Sequence, residues 1–94
     1  MRELVLTSRF ERSFRRLVRK APSLQQHIET TLSLLSVDLS NPKLKTHHLS
    51  GPLSGYFACS CGYDCRIVFA KEKSKEQGKE VLILIDIGSH DEVY

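Results

Sequence analysis

The N-terminal third of the chain has the spacing of apolar residues that is typical of amphipathic helices. One helix is predicted from about Arg9 to Lys20, with Ser8 as its N-cap. Its apolar face repeats with the helical period and consists of Phe10, Phe14, Leu17 and Val18. A second helix is predicted between the break at Pro22 and Asp38, with an apolar stripe of Leu24, Ile28, Thr31, Leu32 and Leu35. The two helices form an αα-hairpin with one apolar side.

Short apolar runs bounded by turn residues predict four strands, at residues 2–7, 53–60, 65–72 and 81–89. The last run is the most apolar and is rich in isoleucine, which indicates the central strand of the sheet. Strand alternation places one row of side chains on each face. The two predicted rows are Val81, Ile83, Ile85 and Ile87, and Leu82, Leu84, Asp86, Gly88 and His90.

The element order β-α-α-β-β-β predicts an α+β domain, in which an antiparallel sheet carries the αα-hairpin on one face. The charged segment Lys73–Lys79 is expected to form an exposed hairpin loop. The other face of the sheet is expected to be open. Asp64 and Arg66 share a face of their strand. If Asp86 and His90 lie on the same face, four polar groups converge there.

Length and composition predict one cytoplasmic domain spanning residues 1–94. No apolar stretch approaches the roughly 20 residues of a membrane-spanning helix, and no signal-peptide region begins the chain, so no membrane partner is expected. The formal net charge is only +3, but basic residues cluster. The clusters are Arg9, Arg12, Arg15, Arg16, Arg19 and Lys20, and Lys43, Lys45, His47 and His48. They predict a polyanionic partner, nucleic acid or acidic protein, although most such runs are simply solvated.

The three cysteines, Cys59, Cys61 and Cys65, are an odd number and do not resemble a secreted disulfide framework. With His47 and His48 they would supply enough ligands for tetrahedral zinc. Their spacing is not that of paired zinc knuckles, so buried or half-buried thiols are expected, and no cofactor is predicted. The chain also lacks the motifs of nucleotide hydrolases, serine hydrolases and zinc proteases.

The candidate catalytic residues are His48, Asp64, Arg66 and His90. RNA cleavage can use the substrate's own 2′-hydroxyl as the nucleophile, so one group must take its proton and another must protonate the leaving 5′-oxygen. Histidine suits both steps because its pKa lies near neutral pH, and arginine suits the phosphate because its planar guanidinium binds two oxygens. Each residue also has an ordinary structural interpretation, as a loop histidine, a turn aspartate or a strand arginine paired with an acid.

Three stretches of the chain resemble the RelE/ParE toxin superfamily, and within it the YafQ/RelE-like mRNA interferases. They are the block from His48 to Tyr56, written H-x-L-x-G…L-x-G-Y, the strand from Asp64 to Phe69, and the ending from Ile85 to Tyr94, with its G-[ST]-H-x-x-[VL]-[YF] pattern. The opening strand and the Arg-rich hairpin also match, so the resemblance covers the whole chain. The chain departs from the family pattern at Ala58, Ser60 and Asp86, where members carry Asp, His and Arg.

The resemblance implies the toxin of a bacterial type II toxin–antitoxin system that cuts mRNA in the ribosomal A site through the 2′-hydroxyl. It makes His90 the general acid and aligns His48, Asp64 and Arg66 with the other site positions. Contacts to RNA and the ribosome are expected from Arg9, Arg12, Arg16, Arg19, Lys43, Lys45 and the terminal aromatic Tyr94. The implied partners are a cognate antitoxin, the ribosome and mRNA, with operator DNA reached only through the antitoxin.

Two other functions compete with this interpretation. A ParE-like inhibitor of DNA gyrase shares the fold but acts by binding, and such chains generally lack the closing histidine motif, so Gly88-Ser89-His90 favours the ribonuclease. The other alternative is a non-catalytic nucleic-acid-binding or zinc module, which bound metal in the purified protein would favour.

Overall fold

A computed structural model describes residues 2–75 and 78–94. Its elements are β1 (Glu3–Leu6), α1 (Ser8–Lys20), α2 (Leu24–Val37), β2 (His47–His48), β3 (Phe57–Ser60), β4 (Arg66–Lys73), β5 (Glu80–Gly88) and α3 (His90–Val93), with 3-10 turns at Pro42–Leu44 and Gly51–Leu53. The α+β class, both long helices and the four predicted strands are confirmed. Strand β2 and helix α3 are additional elements that the apolar pattern did not predict.

The five strands form one sheet in the order β1-β5-β4-β3-β2. The pairings among β2, β3, β4 and β5 are antiparallel, as expected. Strand β1 instead pairs with β5 in parallel, because the αα-hairpin lies between it and the remaining strands in the sequence. The sheet is therefore mixed, and β5 lies between the edge strand β1 and strand β4.

Local side-chain chemistry moves two predicted boundaries. The N-cap of α1 is Thr7 and not Ser8, because the Thr7 hydroxyl accepts from the Phe10 N–H at 3.1 Å and also donates to the Leu84 carbonyl at 2.8 Å. The Thr7 hydroxyl thus caps the start of α1 and also links this helix to β5. Strand β3 begins at Phe57 and not at Leu53, because Leu53 belongs to the 3-10 turn that starts at Gly51.

The core lies between the helices and one face of the sheet. Phe10 from α1 and Ile28 and Leu35 from α2 pack against Leu82, Leu84, Ile67 and Phe69 from the central strands. The opposite face is not open at its centre, because Ala58 and Val68 are 0% and 2% exposed. Polar chemistry must therefore lie at the ends of the strands.

A β-bulge overturns the predicted alternation along β5. Phe69 pairs with Leu84 and Val68 pairs with Asp86, so Ile85 has no partner across the ladder. Ile87 consequently joins Leu82 and Leu84 in the core instead of sharing a face with Ile83. An extra residue in one strand changes the pairing of the residues that follow it, and the hydrophobic pattern alone does not predict where such a residue lies.

The β4–β5 connection has the position predicted for the loop Lys73–Lys79, with the Ser74 N–H donating to the Lys79 carbonyl at 2.8 Å. Glu76 and Gln77 of that prediction, and Met1, lie outside the described residues. Among the residues described, no helix has the length and apolar character needed to cross a membrane.

Candidate functional site

An open groove of about 600 Å³ lies at one end of the sheet. Its charged lining comes from separate segments, with Lys43 and Lys45 on one side and Asp64 and Arg66 on the other. Ser60, Gly62 and Tyr63 complete it. Four residues predicted for RNA contact or catalysis are therefore brought together in one groove.

The two lysines are positioned by the 3-10 turn between α2 and β2. Asn41 caps this turn by accepting from the Lys43 N–H at 2.9 Å. Leu44 is 1% exposed and packs into the core. Because Leu44 points inward, the flanking side chains Lys43 and Lys45 are left exposed at the groove.

The opposite wall is the turn between β3 and β4, which is closed by a disulfide between Cys61 and Cys65. The expectation of three free thiols is therefore wrong. The Cα atoms of this pair are 5.1 Å apart because the chain reverses over Gly62, at φ 112°. Asp64 lies inside the closed loop with a positive φ of 51°, which few residues other than glycine adopt.

Reduction of this disulfide is expected to lower the free energy of unfolding by about 2 kcal/mol. The cross-link restricts the unfolded chain, and breaking it returns the entropy of a short loop to the unfolded state. Urea unfolding with and without dithiothreitol measures the change. Cys59 will not replace either partner, because burial raises its pKa to about 12 and the reactive thiolate is scarce. The double variant Cys61→Ala/Cys65→Ala is the control and should not respond to reductant. Coincident curves for the wild type would refute the stabilising role.

His90 begins α3, and a reciprocal capping box holds this short helix. The Ser89 hydroxyl accepts from the Glu92 N–H, and the Glu92 carboxylate accepts from the Ser89 N–H at 2.9 Å. Hydrogen bonds from the Ser89 backbone and then its side chain lower the pKa of Glu92, which keeps the carboxylate charged. Gly88 fits closely at this corner, because a Cβ there would lie 3.1 Å from Glu92 Oε1 and 3.3 Å from Val93 Cγ1, and these side chains would have to shift slightly.

His90 and Asp64 meet where α3 reaches the disulfide-closed turn. The His90 N–H donates to Asp64 Oδ1 at 3.2 Å. The His90 ring meets the Tyr94 ring edge-on, at 4.6 Å between centroids. Burial raises the pKa of Tyr94, against a lowering by the Arg66 charge, so its hydroxyl is neutral at physiological pH. The imidazole side chain remains 61% exposed, so a substrate can reach it.

Arg66 is fixed at the strand end beside these residues. Its Nη1 donates to the Cys65 carbonyl at 2.9 Å and to the Ser60 hydroxyl at 3.4 Å. In the part of the chain that the structure describes, Arg66, Lys43 and Lys45 form no ion pair. Their charges are therefore available to an anionic ligand.

Asp86 does not join this group, so the predicted convergence of four polar residues is corrected to three. Its Oδ1 accepts from the Ser13 hydroxyl at 2.6 Å and from the Ile87 N–H at 2.9 Å. Its Oδ2 lies 3.1 Å from Arg9 Nη2. The carboxylate therefore faces α1, where it joins the helix to the strand.

His48 is not brought to the groove. It pairs with Phe57, which pairs with Phe69, and its ring lies 4.4 Å from the Phe57 ring on the helix-covered face of the sheet. Lys71 lies over the same Phe57 ring at 4.2 Å. Because side chains alternate across a strand, neighbouring residues face opposite sides of the sheet, and the histidine next to His48 in the sequence lies on the other face.

His47 is the histidine that the sequence analysis missed. It pairs with Ala58 and so shares the face of Ser60 and Arg66. The motif spacing contained this signal, since H-x-L-x-G read strictly begins at His47, with Leu49 and Gly51 at the third and fifth positions. Its Nδ1 lies 2.9 Å from the Lys45 carbonyl. A carbonyl only accepts, so Nδ1 carries the proton and Nε2 of the neutral ring is an acceptor.

The basic residues of α1 form a separate exposed surface, defined here as the α1 basic face: Arg9, Arg12, Arg15, Arg16, Arg19 and Lys20. Arg9 contacts Asp86, and Arg15 lies 3.9 Å from Glu11. Neither contact removes the face from solvent. The zinc alternative has no support within residues 2–75 and 78–94, where no group of three or more His, Cys, Asp or Glu side chains is arranged to hold a metal ion.

Comparison with known proteins relates this architecture to one family. A model described as a bacterial toxin of type II toxin–antitoxin systems, YafQ, matches residues 2–94. Among solved structures, the chain is similar to a copper-bound mutant toxin from Helicobacter pylori, with a TM-score of 0.69 and 25% identity over 100% of both chains. Comparison with curated proteins gives no match.

Two Escherichia coli structures share the fold at lower identity. YafQ has a TM-score of 0.76 and 14% identity, covering 100% of this chain and 99% of its own. The toxin of the DinJ–YafQ toxin–antitoxin complex has a TM-score of 0.73 and 16% identity, covering 99% of this chain and 97% of its own. These matches confirm the predicted architecture.

Proposed function

Because the chain belongs to the YafQ family of bacterial toxins of type II toxin–antitoxin systems, we propose that it is an endoribonuclease that cuts mRNA on the ribosome. The observation that supports this proposal is one groove lined by Asp64, Arg66 and two lysines that form no ion pair among the described residues, with His90 joined to it through its N–H bond to Asp64. Such a groove combines a proton-transfer group with several cations, which is the combination that phosphodiester cleavage needs.

In the proposed reaction, the 2′-oxygen of the substrate attacks the adjacent phosphorus and the bond from phosphorus to the 5′-oxygen breaks. The products are a 2′,3′-cyclic phosphate and a free 5′-hydroxyl. The proton of the 2′-hydroxyl passes to a base, and an acid supplies the proton of the leaving 5′-oxygen. Negative charge gathers on the two non-bridging phosphate oxygens between these steps.

Side chains in the groove and beside it can be given roles in this scheme. His90 is the acid, because its ring is exposed while its backbone is fixed by Asp64. Arg66 binds the non-bridging oxygens, because its guanidinium is held by main-chain and hydroxyl acceptors and forms no ion pair with any carboxylate of the described residues. His47 is the base, since the hydrogen bond to the Lys45 carbonyl leaves Nε2 to accept a proton. Asp64 is a positioning residue for His90.

The α1 basic face is proposed to contact ribosomal RNA, which is a large polyanion. The ribosome as target implies action in the cytoplasm. The proposed partner in the resting cell is a cognate antitoxin, as the DinJ–YafQ complex of the E. coli relative suggests. An acidic antitoxin segment would use the same basic surface, so binding of antitoxin and of ribosome would exclude one another.

Expression in a bacterial host, followed by primer extension on a reporter mRNA, tests the proposal. Growth arrest with cuts at in-frame positions is expected. Adding the purified protein to stalled ribosomes should reproduce those cuts, with ribosome association that weakens steeply as salt increases. Arrest without any cut would refute the ribonuclease and favour a toxin that acts by binding, such as a gyrase inhibitor.

A further inference from the structure

A second groove adjoins the candidate site on the far side of Lys43. It has a volume of about 500 Å³ and lies between helix α2 and the disulfide-closed turn. Lys43, Ser60 and Gly62 line both grooves. The two grooves therefore adjoin along these three residues, and an extended chain that crosses them would contact both.

The walls of the second groove carry neutral or basic polar groups. They are the amide of Gln26, the imidazole of His27, the hydroxyls of Thr30 and Ser60 and the ammonium group of Lys43. Among the described residues, no carboxylate lines it. Leu34 contributes apolar surface to the lining. Donors and hydroxyls suit phosphate and ribose, and apolar surface suits the flat face of a base.

We propose that this second groove is a nucleotide subsite, which holds the stretch of single-stranded RNA next to the scissile phosphate. This inference rests on the proposed ribonuclease function, because the occupant is the continuation of that substrate. The volume is sufficient for a nucleotide-sized ligand. An acidic peptide would be compatible with Lys43 alone, but the mixture of hydroxyl, amide and apolar surface and the shared border with the candidate site favour RNA.

Two adjoining grooves that bind one RNA strand predict that affinity for RNA increases with the length of the strand. The probes are a fluorescent trinucleotide and hexanucleotide with a 2′-deoxy group at the scissile position, which prevents cleavage. The hexanucleotide is expected to bind the wild type about tenfold more tightly than the trinucleotide, since one added base contact has about that effect. His27→Glu places a carboxylate in the second groove and should abolish this advantage without changing trinucleotide affinity. Thr30→Glu should act in the same way.

The matched control is Ser33→Glu, which adds a carboxylate to an exposed position of α2 that does not line the groove. It should keep the full length advantage. If His27→Glu and Thr30→Glu keep it too, the subsite is refuted while cleavage on the ribosome by the wild type leaves the proposed function intact. Loss of antitoxin binding in His27→Glu with an unchanged length advantage would assign the groove to the antitoxin and also overturn the inference. Failure of the wild type to cut any mRNA would refute the function itself.

Discussion

Replacing His90 with glutamine is expected to lower the rate of mRNA cleavage by about 10²–10⁴-fold, the range that general acid–base catalysis contributes. Glutamine has a similar size and retains a polar side chain, but it cannot deliver a proton to the leaving 5′-oxygen. The fold should be unaffected. The His90 side chain is 61% exposed and its ring contacts lie within α3, to Asp91 and Tyr94, while the main-chain N–H that donates to Asp64 is retained by glutamine.

The rate is measured by primer extension on stalled ribosomes with a defined mRNA in the A site. His48→Gln is the matched control, because it makes the same substitution at an exposed histidine on the other face of the sheet, and it should cleave like the wild type. His47→Gln should be slow as well if His47 is the base. Wild-type cleavage by His90→Gln would remove the role of His90, and equal losses in His90→Gln and His48→Gln would show that the assay reports stability instead.

The sequence predicted the helices well because their signal is local. The apolar stripe that includes Phe10 and Phe14 depends on residues three and four positions apart, and that period survives in the structure as the core-facing side of α1. The closing motif likewise pointed to His90, because it consists of consecutive residues at the end of a strand. Local patterns therefore give the elements and one candidate site residue.

The features that the sequence did not predict depend on contacts between distant segments. The alternation along β5 fails at the bulge opposite Val68 and Phe69, and a displacement of one residue reverses every side chain beyond it. Which of His47 and His48 lies on the face of Arg66 likewise depends on the register of β2 against β3. The disulfide between Cys61 and Cys65 depends on the turn at Gly62, which brings two strand ends together.

Asp86 is the clearest case of a residue whose role is set by a distant partner. Its position at a strand end and its departure from the family pattern both suggested a functional change. In the structure it accepts from Ser13, which is 73 positions away, and lies against Arg9 of α1. Asp86 therefore has a structural role in this chain, and Arg66 is the arginine that lines the groove among the described residues.

Replacing Asp86 with alanine is consequently expected to lower the free energy of unfolding by roughly 2–4 kcal/mol, while cleavage per folded molecule is retained. Asp86 is 8% exposed and Ser13 is 7% exposed. Truncation removes the acceptor of the Ser13 hydroxyl and of the Ile87 N–H, and a buried donor without an acceptor costs about 1–3 kcal/mol. The carboxylate is also charged and mostly buried, and its removal leaves its partners without that charge, which increases the destabilisation. Urea unfolding, followed by circular dichroism, measures the difference.

Two further variants separate the contributions. Asp86→Asn keeps an acceptor oxygen at the position of Oδ1 and should cost about 1 kcal/mol, because only the charge is lost. Arg9→Ala should cost less than about 1 kcal/mol, because the Arg9 side chain is 66% exposed and its ion pair is screened by solvent. The hydrogen bonds to Ser13 and Ile87 therefore account for most of the stabilisation. If Asp86→Ala is as stable as the wild type but no longer cleaves, Asp86 acts in the site and the structural role assigned to it is wrong.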